Sequence, residues 1–157
     1  MSRPPVAPEL DQATRRALAV GLFNYTWTLL GNSTRTREQD DEMLHAAHAS
    51  RFHWGEVGEA VNLARGEWQV SRVYAVLGRA EPALYHARRC LEINEANEAG
   101  REDWELGSAY EAMARASGVA GDRAASDAWR ACAVEELDRI SDAEDRQVLE
   151  QDITTLP

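Results

Sequence analysis

No stretch of the chain approaches the roughly 20 consecutive apolar residues that a membrane-spanning helix requires, so the sequence predicts no membrane partner. The opening, MSRPPVAPELDQ, lacks the apolar segment of a secretory signal, and a cytoplasmic protein is expected. Cysteine is scarce. Cys90 and Cys132 each stand two residues after an arginine in a predicted helix; they read as reduced packing thiols, disulfides being uncommon in cytosolic chains. Proline and glycine are also few, five and ten in 157 residues. With Ala, Glu, Arg and Leu abundant, the composition favours helix throughout and gives no sign of a sheet. Clustered cations are missing as well: the basic residues are dispersed and the net charge is −10. That balance argues against a nucleic-acid partner, whose phosphates are held mostly by grouped Lys and Arg. No Ser/His/Asp, Cys/His or phosphate-loop constellation is present, so no cofactor is expected and a non-enzymatic role is favoured.

What is present is helical periodicity and an internal echo. Trp68 to Ile93, WQVSRVYAVLGRAEPALYHARRCLEI, reads as a helix, a break at Gly78 and a second helix. Arg65, Trp68, Tyr74 and Arg79-Ala80 recur 36 residues later as Arg101, Trp104, Tyr110 and Arg115-Ala116. A period in the thirties marks stacked helical hairpins, none of which buries its apolar face alone. With 44% hydrophobic residues, the chain suffices for one compact domain, 1–157, and is short for two.

In chain order, residues 1–8 form an irregular lead-in with Pro4, Pro5 and Pro8. A first helix spans about Glu9 to Leu30, ended by Gly31-Asn32, and carries Asn24 among apolar neighbours; a buried amide there must be hydrogen-bonded or contact a ligand. Asn32 to Gln39 is a polar loop. A second helix runs from about Glu38 to Gly55, with Gly55 and Gly58 breaking the pattern. A third follows from near Glu59 to Leu77. Glu81-Pro82 starts the fourth, Pro in its favoured first-turn place, with a small-residue stripe at Ala83, Ala87 and Cys90-Leu91. The fifth is placed at about Glu102 to Ser117 and the sixth at Asp122 to Ile140, Asp122 capping it; the turn between them carries about five extra residues, moving the register to 41 or 42. Ser141 to Glu144 matches a capping box and opens a charged terminal helix, about 142–153, suited to shield a solenoid end.

The second helix holds the least ordinary residues, DDEMLHAAHASRFHWGE. At 100° per residue, Asp41, His45, His48, Phe52 and Glu56 share one face if the helix reaches Glu56, and Met43, Ala47, Trp54 and Val57 take the other. Histidines at i and i+3 with an acid can approach one metal ion, so Asp41, His45 and His48 are a candidate metal set, with His53 and Glu56 as further polar lining. The zinc-hydrolase signature on a helix is absent, and a solvated structural face is the simpler reading.

Tyr74-Ala75-Val76-Leu77-Gly78, then Pro82-Ala83-Leu84, Ala87 and Leu91-Glu92-Ile93, resemble the tetratricopeptide repeat. Tyr110 to Ala114 with Gly121-Asp122, Ala124 and Ala128 resemble a second, weaker copy. The resemblance covers about residues 64–136. It departs from the family where Trp and Tyr stand only six residues apart and where Asn94 replaces the proline that normally follows the unit. It implies an all-α, short solenoid of antiparallel helical hairpins, about seven helices in all. The function expected is an interaction module that binds a peptide or protein partner or another copy of itself, since aromatic residues dominate binding anchors. The competing expectation is a small-molecule or metal site on the helix of Asp41, His45 and His48. Trp68, Tyr74, Trp104 and Tyr110, at repeat positions, are expected to be packing residues.

Overall fold

The computed structural model describes residues 7–157; most of the expected lead-in therefore lies outside the described residues, which hold seven α-helices and no strand. The helices are α1 (Gln12–Leu30), α2 (Arg37–Val57), α3 (Ala60–Val76), α4 (Ala80–Ala96), α5 (Glu105–Val119), α6 (Arg123–Glu136) and α7 (Ala143–Thr154), with a 3-10 turn at Leu137–Arg139 after α6. Each odd helix packs against the next even one, and the three hairpins stack in sequence order with α7 laid against α5 and α6. None of these helices is long and apolar enough to cross a membrane.

Local chemistry sets the ends. Asp11, not Glu9, starts α1, its carboxylate accepting from Thr14 N–H at 2.7 Å. Thr36 and Gln39 form a reciprocal capping box on α2, satisfying two otherwise orphaned donors. At α7 the cap is Asp142, which accepts from the amides of Glu144 and Asp145; the Ser141 hydroxyl of the expected capping box instead donates to Asp103 at 2.7 Å.

Gly55 does not break α2, which continues to Val57; Gly58 does. A methyl group on Gly58 would sit 2.8 Å from the Trp54 carbonyl oxygen and 2.9 Å from its ring, whereas one on Gly55 meets only the far end of the Arg51 side chain at 3.4 Å. Gly58→Ala should therefore destabilise by about 1–3 kcal/mol through crowding, while Gly55→Ala should stabilise by roughly 0.5–1 kcal/mol, the helical advantage of alanine. Urea denaturation of the two variants checks the opposite signs.

The hairpin repeat steps by 43 residues rather than 36. Gly78 and Gly121 end α3 and α5 at φ 70° and 79°, a left-handed conformation that costs glycine little. The next amide reaches back alike in both, Arg79 N–H to Tyr74 O and Asp122 N–H to Ser117 O. The two turns are thus equivalent, and the extra residues lie before α5 and not in its turn. Within the first of these hairpins Ser71 on α3 donates to the Ala83 carbonyl at 2.9 Å. Within the second, Ser126 on α6 donates to the Ala114 carbonyl at 2.9 Å. Under the 43-residue step these are the same two positions, with donor and acceptor exchanged.

Small residues allow the close approach. Ala83, Ala87, Cys90 and Leu91 are buried with Ala109, Ala112, Met113 and Ala116 in the main core, between α4 and α5. Leu29, Met43, Ala47, Val70 and Val73 join the first hairpin to α3, and Ala133, Ile140, Leu149 and Ile153 seat α7. Ala124 and Ala128, matched above to the second, weaker copy, are exposed; Ser126, Ala133 and Glu136 hold the inward positions of α6. Both cysteines are free thiols.

Candidate functional site: an aromatic groove along the odd helices

Because α1, α3, α5 and α7 occupy one side of the stack, their unshared faces converge on a groove of about 290 Å3. Phe23 and Trp27 come from α1, Arg65 and Trp68 from α3, Trp104 and Ser108 from the start of α5, and Asp145, Val148, Leu149 and Asp152 from α7. The aromatic rings are in contact: Phe23 meets Trp27 edge-on at 6.3 Å between centroids, and Trp27 meets Trp68 at 5.3 Å. A larger hollow, about 460 Å3, lies between α4 and α6, but its lining includes Arg88, Glu92, Glu95 and Asp122 and only one aromatic residue, Trp129. Binding sites concentrate aromatic walls with a few placed polar groups, which favours the odd-helix groove.

Two arginines brace it. Arg65 lies 5.0 Å from the centre of the Trp104 ring and pairs with Glu105 at 2.7 Å and Glu102 at 3.0 Å. Glu102 also accepts from the Trp104 indole N–H at 3.0 Å, and that bond, with Arg65, holds its carboxyl below the usual carboxylate range. Arg72 lies 5.3 Å from the Trp68 ring and pairs with Glu111 at 3.2 Å and Asp152 at 3.0 Å. The Trp68 indole N–H is buried without a hydrogen-bond partner among the described residues.

The expected tryptophan packing role is thus incomplete. Trp68 and Trp104 each press one side against a core cluster and present the remainder to the groove. Tyr110 does pack, stacked on Trp129 at 5.8 Å, and Tyr74 stacks on His86 at 5.8 Å.

The structure does not assemble the site expected on α2. Asp41 and His45 are exposed, as is Asn24, which is not the core amide expected from its apolar neighbours. Glu56 lies 3.8 Å from the Arg15 guanidinium. His53 is half-buried, its Nδ1 without a hydrogen-bond partner among the described residues and its ring against Phe52. His48 reaches toward α3, Nε2 lying 2.9 Å from the Tyr74 hydroxyl. Among the described residues no three His, Cys, Asp or Glu side chains gather as a metal ion would require. The helical wheel placed Asp41, His45 and His48 on one arc; what it lacked was a neighbouring helix bringing acids to them.

His48 belongs to a cross-helix network instead. Its ring is 5.4 Å from that of His86, and His86 Nδ1 lies 2.6 Å from buried Glu67, which Arg51 also holds at 2.8 Å. Burial and the nearby His86, only partly offset by Glu67, keep the His48 imidazole below its ordinary range. Burial pushes the Glu67 carboxyl up, but the His86 hydrogen bond and the Arg51 charge outweigh it and hold the group below the usual value. Both folded-state values are depressed, so the unfolded chain binds protons first on acidification and stability falls with pH. The His48 contribution is present above about pH 6.5 and is lost below it; that of Glu67 is lost below about pH 4.3. His48→Gln should flatten the upper limb of the loss and leave the acid limb in place, as read from melting temperature against pH.

No protein-family model, curated protein or solved structure matches this chain.

Proposed function

We propose that the protein is a non-enzymatic interaction module, a divergent tetratricopeptide-like solenoid that holds a peptide or protein segment in the groove of its odd helices. The observation that carries this reading is the convergence of Phe23, Trp27, Trp68 and Trp104 from three helices on one open groove. Ion pairs to Glu102, Glu105, Glu111 and Asp152 hold the Arg65 and Arg72 guanidinia beside the rings of Trp104 and Trp68, which cuts the ordering cost that binding must meet. Aromatic anchors of this kind carry most of an interface's energy. Trp27→Leu, on a partly buried position at the groove, should cost a bound partner about 2 kcal/mol or more of affinity with the melting temperature little changed. Affinity capture with native and Trp27→Leu protein tests this: a partner retained only by the native protein supports it, and identical captured sets on both would overturn it.

A further inference from the structure

We infer that the groove's occupant is a basic polypeptide segment, one that sets an apolar or aromatic side chain on Phe23, Trp27 and Trp68 and an Arg or Lys beside the α7 end. The inference rests on the groove reading above and adds the chemistry of the partner. The cations at the groove are already matched, Arg65 by Glu102 and Glu105 and Arg72 by Glu111 and Asp152. They offer an acidic partner no unpaired positive charge. The acids around the start of α7, of which Asp145 reaches the groove, are matched less well. Asp103 takes the Ser141 N–H and hydroxyl, and Asp142 caps α7, while no arginine pairs with Glu144 or Asp145 among the described residues. Arg146, next in the chain, is directed to Glu150 and Asp138.

Asp145 lines the groove itself. Burial first, and after it the charges of Asp142, Glu102, Asp103 and Glu144, push its carboxyl above the usual range; those neighbouring charges are a negative field that a cation would relieve. The aromatic floor and the acidic wall therefore ask for different parts of one ligand. A second copy of this chain, itself of net charge −10, would add like charge at that wall, and a wholly apolar segment would desolvate the wall without pairing it. A basic segment with an apolar anchor answers both, since complementary charge sets specificity and encounter rate while the buried anchor holds the complex.

The test titrates the full chain with three synthetic peptides that alternate Leu with Arg, with Glu or with Ser, followed by tryptophan fluorescence and by the anisotropy of a dye on the peptide. The proteins are the native chain, Trp27→Leu, a Glu144→Gln/Asp145→Asn pair, and a control pair, Glu81→Gln/Asp127→Asn, that removes as much charge from α4 and α6; circular dichroism verifies that each is folded. The expected result is tightest binding of the Arg peptide, weakened on the order of tenfold by the α7 pair at low salt and less than about twofold by the control pair. If the α7 pair does no more than the control, or if the Glu or Ser peptide binds as tightly in a Trp27-dependent way, the basic-partner inference falls and the groove reading stands. If no peptide shows Trp27-dependent binding, both fall.

Discussion

Glu111→Ala should unfold the protein more readily than any other single acid replacement, at a cost of about 3–5 kcal/mol. Glu111 is fully buried. It accepts from Arg72 at 3.2 Å and from Arg115 at 2.7 Å, so it binds guanidinia from α3 and from its own helix at once. Arg72 goes on to Asp152, and Arg115 to the carbonyls of Asp152 and Thr155 at 2.9 and 3.1 Å. A single carboxylate thus organises three helices. Its removal leaves two guanidinia without their central partner in a largely desolvated place, and the penalty of that uncompensated charge exceeds the attraction lost. Glu111→Gln should recover part of the loss, because the amide keeps one acceptor and the volume. Urea denaturation with a double-mutant cycle against Asp152→Asn measures the coupling; additivity of the two changes would contradict the network.

Leu149→Ala is the second large effect, about 2–5 kcal/mol if α7 and the rest of the chain unfold together. Leu149 is 1% exposed and packs with Ala133, Ile140 and Ile153, and its methyl group lies where a Cβ on Gly107 would stand, 2.6 Å away. The side chain therefore fills the notch that the glycine leaves, and alanine would leave a cavity there. Because α7 lies outside the three hairpins and packs on α5 and α6, the loss is expected to appear first as its detachment. Hydrogen exchange should show α7 amides losing protection while those of α3 and α4 keep theirs. Uniform loss across all helices would instead place α7 within the single cooperative unit.

Helix number and hairpin order were legible in the sequence because they rest on local chemistry: apolar spacing, Asp122 at a helix start, Pro82 in a first turn; the caps at Asp11, Thr36 and Asp142 were not. Position within the stack was not. The 3.6-residue period states which residues share a face, but what that face meets depends on helices remote in the chain. The α2 stripe of Asp41, His45, His48 and Glu56 looked functional because nothing local explained it, and the structure directs His48 to Tyr74 and Glu56 to Arg15. Trp68 and Trp104 looked like packing because they recur. Only the stacking of alternate helices shows that a tryptophan can serve a core on one side and a groove on the other. All 17 cations are arginine, and the planar fork of that side chain suits the bonds to several acceptors on which the groove's bracing depends.

The exchanged serine staples show how one hairpin geometry can be written in two ways. Each hairpin needs one hydroxyl meeting one carbonyl across the α3–α4 or α5–α6 seam, and the bond is a property of the pair, so either helix can carry the hydroxyl. Ser71 faces Ala114 under the 43-residue step, and Ala83 faces Ser126. Compared position by position, the two hairpins differ at both residues although the bond is the same. A hairpin seam defined by its contact, and not by the residue supplying it, can be closed by either of two sequences. The 36-residue echo of tryptophan and tyrosine is therefore the louder signal in the sequence, and the 43-residue step is the one that relates the second and third hairpins.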